Sequence, residues 1–248
     1  MSSPKISVIT VAFNAEKHIG RTIESVIGQS YEHVEYIIID GKSTDSTLEV
    51  IAAYKGVDQL ISEADSGLYD AMNKGLKLAT GDYVWFLNSG DQVFCADTME
   101  KMVAGLKGMP DIIYGGTMII DEQEKEIGDR RLKPPDKLSW RSFRQGMVVC
   151  HQSIIVKREL APQYNVEYRL SADIDWAIRA SKAALLIHNS QLILSRFLEG
   201  GLTEHNIKAG LKERFRIMTK YYGLIPTILR HFLFGIRLTN FYLKHRRF

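Results

Sequence analysis

The 248-residue sequence predicts an α/β protein, a Rossmann-like, mostly parallel sheet flanked by helices. Two observations carry that prediction. Along residues 5 to 120, short apolar runs rich in Val and Ile alternate with stretches whose apolar residues recur every three to four positions, the pattern of strand–helix–strand units. The runs also stop at polar or acidic residues: Asn14, Asp40, Asp65 and Asp91. In a parallel sheet all four stops share one edge, and ligands gather at the carboxyl ends of such strands. The length suits one large domain, or one domain with an appendage.

Residues 5 to 13 (KISVITVAF) read as a buried strand, and Asn14 is placed to cap a helix carrying Ile19, Ile23, Val26 and Ile27 on one face. Residues 34 to 39 form a second strand, stopped by Asp40-Gly41. Ser43 or Thr44 then caps a helix with Leu48, Ile51, Ala52 and Tyr54 inward. After a short strand at 59 to 62, a helix opens near Leu68, with Leu68, Met72, Leu76 and Ala79 on one face and Gly81 as its C-cap. Residues 83 to 87 (YVWFL) read as a strand covered on both faces, ending in Asn88-Ser89-Gly90-Asp91. Asp97 caps a further helix, and residues 112 to 120 form a strand. Regularity then fades. Residues 121 to 147, with Pro134-Pro135, read as loops; 151 to 156 as a strand; 172 to 183 as a helix; 185 to 188 and 191 to 197 as two short strands.

The chain divides by charge. No Asp or Glu follows Glu213, whereas Arg214, Arg216, Lys220, Arg230, Arg237, Lys244, Arg246 and Arg247 do. Pro226 suits the first turn of a helix whose face would carry Ile225, Ile228, Leu229, Phe232, Leu233 and Ile236. A basic amphipathic helix over 225–248 points to an anionic membrane surface; a core helix with a solvated basic face is the plainer alternative. The basic residues lie on an apolar helix rather than among exposed aromatics, which argues against nucleic acid. No run of about 18 apolar residues and no signal-peptide core occur. Cys95 and Cys150 form no metal or redox spacing, so a cytoplasmic protein, peripheral on the inner face of the membrane, is expected.

The sequence lacks both G-x-G-x-x-G and G-x-x-x-x-G-K-[ST], so a nucleotide here would need another partner for its phosphates. A divalent cation on carboxylate oxygen supplies one, manganese or magnesium by ligand type.

Two long stretches, SVITVAFNAEKHIGRTIESVIGQSYEHVEYIIIDGKSTDST and SEADSGLYDAMNKGLKLATGDYVWFLNSGD, resemble the inverting family 2 glycosyltransferases with the GT-A fold. The resemblance implies a nucleotide-binding half over residues 1–120, an acceptor half over 121–205 and a basic helical tail over 206–248. It implies that Ala12, Phe13 and Asn14 flank the base and ribose and that Asp40 hydrogen-bonds one of them. Asp65, Asp70 and Lys74 would border the nucleotide-sugar pocket. Asn88, Ser89 and Asp91 stand where the family has its Asp-x-Asp metal motif; Asp91 is then the metal ligand, and Asn88 offers a neutral oxygen. Asp173 takes the catalytic-base position, with Asp175 as the rival. His151, His205 and Arg130-Arg131 are further candidates for acceptor, metal or diphosphate contacts. Each has a plainer role as well: Asp40-Gly41 suits a turn and Asp173 suits a helix N-cap. The activity implied is transfer from a UDP- or GDP-linked sugar to a glycan or lipid-linked glycan in bacterial cell-surface polysaccharide assembly. A polyprenyl-phosphate glycosyltransferase and a non-catalytic nucleotide-sugar-binding subunit are the competing readings.

Overall fold

The computed structural model describes residues 3–130, 132–200 and 206–232. At its centre β1 (Ile6–Ala12), buried along its whole length, pairs in parallel with β2 (Val34–Asp40) on one side and β4 (Tyr83–Phe86) on the other; β3 (Gln59–Ser62) extends the sheet beyond β2. Side chains alternate strictly across this parallel half. Ile9, Val11, Ile37, Ile39 and Phe86 face one core layer, with Met72 and Trp176; Val8, Ile38 and Trp85 face the other, with Ile23 and Met99. The first layer is roofed by α3 (Leu68–Leu78) and α5 (Ala172–Ala183), the second by α1 (Ile19–Ile27), α2 (Thr47–Ala52) and α4 (Thr98–Ala104).

The rest of the sheet is mixed. β8 (Ile154–Lys157) pairs antiparallel with β4 and with β6 (Ile112–Ile120), and β9 (Ile187–Leu198) runs parallel to β6. β5 (Gln92–Val93) closes the edge against β9, and β7 (Glu126–Asp129) pairs with β6. The order is β3-β2-β1-β4-β8-β6-β9-β5. Past Gly200 the chain continues in α6 (Ile207–Tyr222) and α7 (residues 224–232).

Several expected boundaries move. Asn14 does not cap α1, which starts at Ile19 behind His18; Asn14 sits in the left-handed region (φ 48°) and its Oδ1 accepts from Thr44 N at 2.9 Å. Neither Ser43 nor Thr44 caps α2, since both are held by Asp40 and Asn14, and the helix begins behind Ser46. α3 ends at Leu78 with Ala79 in the cap position, because Gly81 is engaged by Ser7 Oγ. Residues 151–153 form a 3₁₀ turn before β8 rather than the start of a strand. The two strands expected at 185 to 197 are one, β9, whose pairing with β6 shifts register around Gly116.

Candidate active site

Because β1, β2 and β3 are parallel and in register, Ala12 lies opposite Asp40 and Asp40 opposite Ser62. Ser89 joins the same edge, its N–H donating to Val11 O at 3.2 Å. Asp40 is fully buried, a position that a carboxylate tolerates only with donors around it. Ser62 Oγ at 2.6 Å, Ser43 N at 3.0 Å and Ser43 Oγ supply them. This fixes the turn after β2 and brings Gly41 against Asp65. A Cβ at position 41 would lie 2.5 Å from Asp65 Oδ2 and 3.4 Å from Phe13 Cδ2. Phe13 is 64% exposed, an open aromatic wall beside that carboxylate.

Asp65 Oδ1 accepts from Gly67 N at 2.8 Å, and Asp70 Oδ2 from Ser66 N at 3.0 Å, so the two carboxylates close the turn that starts α3. The Ser66 amide holds the Asp70 carboxyl below its usual range. Lys74 reaches back along α3, 2.8 Å from both Glu63 Oε1 and Ala64 O and 4.0 Å from Asp70, and braces that loop from behind.

At the end of β4, Asn88 Oδ1 and Ser89 Oγ are buried without a hydrogen-bond partner. Two orphaned polar atoms at a sheet edge are unusual in a protein interior and point to a ligand. Asp91 lies deeper, 4% exposed, its Oδ1 accepting from Leu198 N at 2.9 Å and its Oδ2 from Gln152 Nε2 at 2.7 Å. Burial lifts its carboxyl to about 7 against the pull of both donors.

Asp173 sits in the first turn of α5, partly exposed, with Tyr69 OH donating to its Oδ1 at 3.5 Å. The rival Asp175 is 1% exposed and spoken for, by Arg179 Nε at 2.7 Å, Tyr221 OH at 2.7 Å and Lys220 Nζ at 3.5 Å. Next to Asp173 is an aromatic cluster in which Tyr164 stacks on Trp176 and Tyr69, and its hydroxyl bonds His151 Nε2. Burial lowers His151 to about 4, so the ring is neutral near pH 7.

The structure therefore gathers Ala12, Phe13, Asn14, Asp40 and Asp65 on one side, with Asn88 and Ser89 at the neighbouring strand end. It separates Asp173 from Asp175. Tyr69, which touches Asp173, escapes sequence reading, and Gln152, which with His151 resembles a family stretch near the acceptor, meets Asp91 instead; contacts between elements leave no spacing signal. His205 and Arg131 lie outside the described residues. Among the described residues no three His, Cys, Asp or Glu side chains cluster as a metal cage. The donor set still suits magnesium or manganese, which bind through one or two protein oxygens plus substrate phosphates. Asn88 Oδ1 is free, and one hydrogen bond on each Asp91 oxygen leaves a lone pair on each.

The family model described as glycosyl transferase family 2 matches residues 7–164. The chain belongs to that family. An uncharacterised glycosyltransferase of Mycobacterium tuberculosis is 30% identical over all of this chain and 93% of its own length. A putative teichuronic acid biosynthesis glycosyltransferase of Bacillus subtilis is 27% identical over 86% of each chain. Among solved structures, S. aureus TarS in complex with UDP-GlcNAc superposes with a TM-score of 0.73 at 18% identity, over 93% of this chain and 73% of that one. The chain spans 64% of the TarS chain bound to UDP. A Pyrobaculum calidifontis mannosyltransferase in complex with GDP-Man and Mn2+ gives 0.64 at 15% identity, over 93% of this chain and 74% of that one. These neighbours carry the GT-A fold. The protein is thus a glycosyltransferase, and the non-catalytic reading falls away. Among the described residues no helix is long and apolar enough to cross a membrane.

Proposed function

We propose that this glycosyltransferase moves a sugar, with inversion, from a UDP- or GDP-linked donor to a glycan or lipid-linked glycan of the bacterial cell surface. The observation that carries the reading is the division of labour between two carboxylates on one helix. Asp175 is sequestered by three partners, whereas Asp173 is partly open beside the aromatic cluster. Asp173 accepts the proton of the acceptor hydroxyl as that oxygen bonds to the anomeric carbon and the bond to the diphosphate breaks. One such displacement inverts the centre. Phe13 offers its ring to the base, and Asp40, Asn14 and Ala12 border the nucleoside. Asp65, Asp70 and Lys74 line the sugar-diphosphate side. Asn88, Ser89 and Asp91 face the diphosphate, with Asn88 Oδ1 and Asp91 as the oxygens for a divalent cation. A bound cation offsets charge on the departing diphosphate.

Residues 1–205 would carry out transfer, and the basic extension from 206 onward would hold the enzyme to the cytoplasmic face of the membrane. The teichuronic acid relative and the UDP-GlcNAc and GDP-Man neighbours support the donor and acceptor classes.

Calorimetry tests the assignment with UDP and GDP, in manganese and in chelator. Asp173→Asn should bind the nucleotide normally and lose transfer by roughly 10²- to 10⁴-fold. Asp91→Ala should lose manganese-dependent binding. Normal manganese-dependent binding by the Asp91 variant refutes its role, and undiminished transfer by the Asp173 variant refutes the base.

A further inference from the structure

Helix α7 is amphipathic with its polarity reversed. Gly223, in the left-handed region (φ 85°), turns the chain so that α7 folds back along α6. The side facing α6 is partly polar: Thr227 is 1% exposed, and the His231 ring meets Phe215 edge-on at 5.1 Å. Leu224, Ile225, Ile228, Leu229 and Phe232 point outward, each between 49% and 71% exposed. Their spacing makes one continuous stripe, and an apolar stripe of that size in water marks an interaction surface.

A cluster of cations and aromatics gathers around Tyr222, where the chain enters α7. Trp140 stacks on Tyr222, two residues before α7, at 5.6 Å. Arg141, Arg144 and Lys182 lie 5.0, 5.9 and 5.2 Å from the Trp140 ring centroid. Arg144 also lies 5.3 Å from the Tyr222 ring centroid, and Arg230 sits on α7 itself. Trp and Tyr favour the boundary between headgroups and acyl chains, and clustered Lys and Arg favour anionic lipid. The absence of any acidic residue after Glu213 selects the same occupant.

We propose that the outer stripe of α7 and the Trp140–Tyr222 rim form one face that lies on an anionic phospholipid bilayer. The apolar stripe enters the acyl boundary, and Arg141, Lys182 and Arg230 meet headgroup phosphates. This rests on the membrane-surface reading above and adds the face, the depth and the orientation.

The test uses the full chain with vesicles of phosphatidylglycerol and phosphatidylcholine, or of phosphatidylcholine alone, followed by sedimentation. Because Trp85 and Trp176 are fully buried, quenching by brominated phosphatidylglycerol reports Trp140. We expect sedimentation with the anionic vesicles and quenching of Trp140. Ile225→Asp/Phe232→Asp should weaken the affinity by more than roughly tenfold, and Arg141→Glu/Lys182→Glu likewise. Unchanged thermal unfolding of both variants verifies their fold. Parent and variants sedimenting alike, with Trp140 unquenched, overturns this face while the membrane reading stands. No sedimentation of the parent overturns both. A dimer that the Ile225/Phe232 variant dissolves, without vesicle binding, assigns the stripe to a second copy instead.

Discussion

At the scale of single residues, the site depends on one missing side chain. Gly41 lets Asp65 approach the backbone after β2, and a methyl group there would sit 2.5 Å from Asp65 Oδ2. That distance is below any van der Waals contact, so Gly41→Ala must push the Asp65 carboxylate aside. We expect roughly tenfold weaker UDP binding by calorimetry with little change in Tm, since the turn itself is held by Asp40 and its serine donors. Unaltered affinity would remove Asp65 from the sugar-nucleotide side. The sequence made Asp65 and Asp40 visible as strand-end acids, but not their meeting through Gly41. Tyr69 shows the same limit: it reads as one more aromatic on an amphipathic helix, yet its hydroxyl points at Asp173 across 104 residues of chain.

At the scale of elements, α5 couples the candidate base to the C-terminal extension. Its first turn carries Asp173, and Asp175 two residues on holds α6 through Tyr221 and Lys220. Glu213 of α6 returns the grip, its two oxygens accepting from Arg169 N and Leu170 N at 2.9 Å each. The first half of the basic extension therefore packs on the body, burying Ile217 and Met218. Asp175→Ala removes the buried acceptor shared by the partly exposed Arg179 and the Tyr221 hydroxyl. It should cost on the order of 2 kcal/mol, read as a lower Tm and faster amide exchange in α6; protection unchanged there would mean that the apolar contacts alone dock it. The sequence recovers α5 and β6 end to end, α5 from its helical periodicity and β6 as an apolar run that buries both faces. It fails where side chains compete for backbone groups. Asn14, a good N-cap by composition, spends its oxygen on Thr44, and β9 survives Asn189-Ser190-Gln191 as one strand because its pairing with β6 absorbs a register shift. The antiparallel entry of β8 is equally invisible, since the alternation of strands and helices says nothing about which neighbour a strand chooses.

At the scale of the whole molecule, stability in acid should turn on Glu35, which ties together β1, β2 and the turn between α3 and β4. It is 5% exposed. Burial alone would raise its carboxyl, yet Ser7 Oγ, Thr80 N at 2.8 Å, Thr80 Oγ1 and Lys5 Nζ at 3.2 Å outweigh that and hold it down at about 2. The folded carboxylate is thus the weaker base, and between the unfolded value of 4.5 and about 2 the unfolded chain binds the extra proton. Its contribution is fully present above pH 4.5 and is lost as the pH falls toward 2. The amount is on the order of 3 kcal/mol. Urea unfolding at pH 7, 4.5 and 3 should show a loss of stability across the lower interval. Glu35→Gln should be less stable than the parent at pH 7 and should lack this part of the acid slope. A parent and variant that lose stability in parallel below pH 4.5 would shift the acid sensitivity to other carboxylates. Glu35 would then be a packing residue of the β1–β2 seam alone.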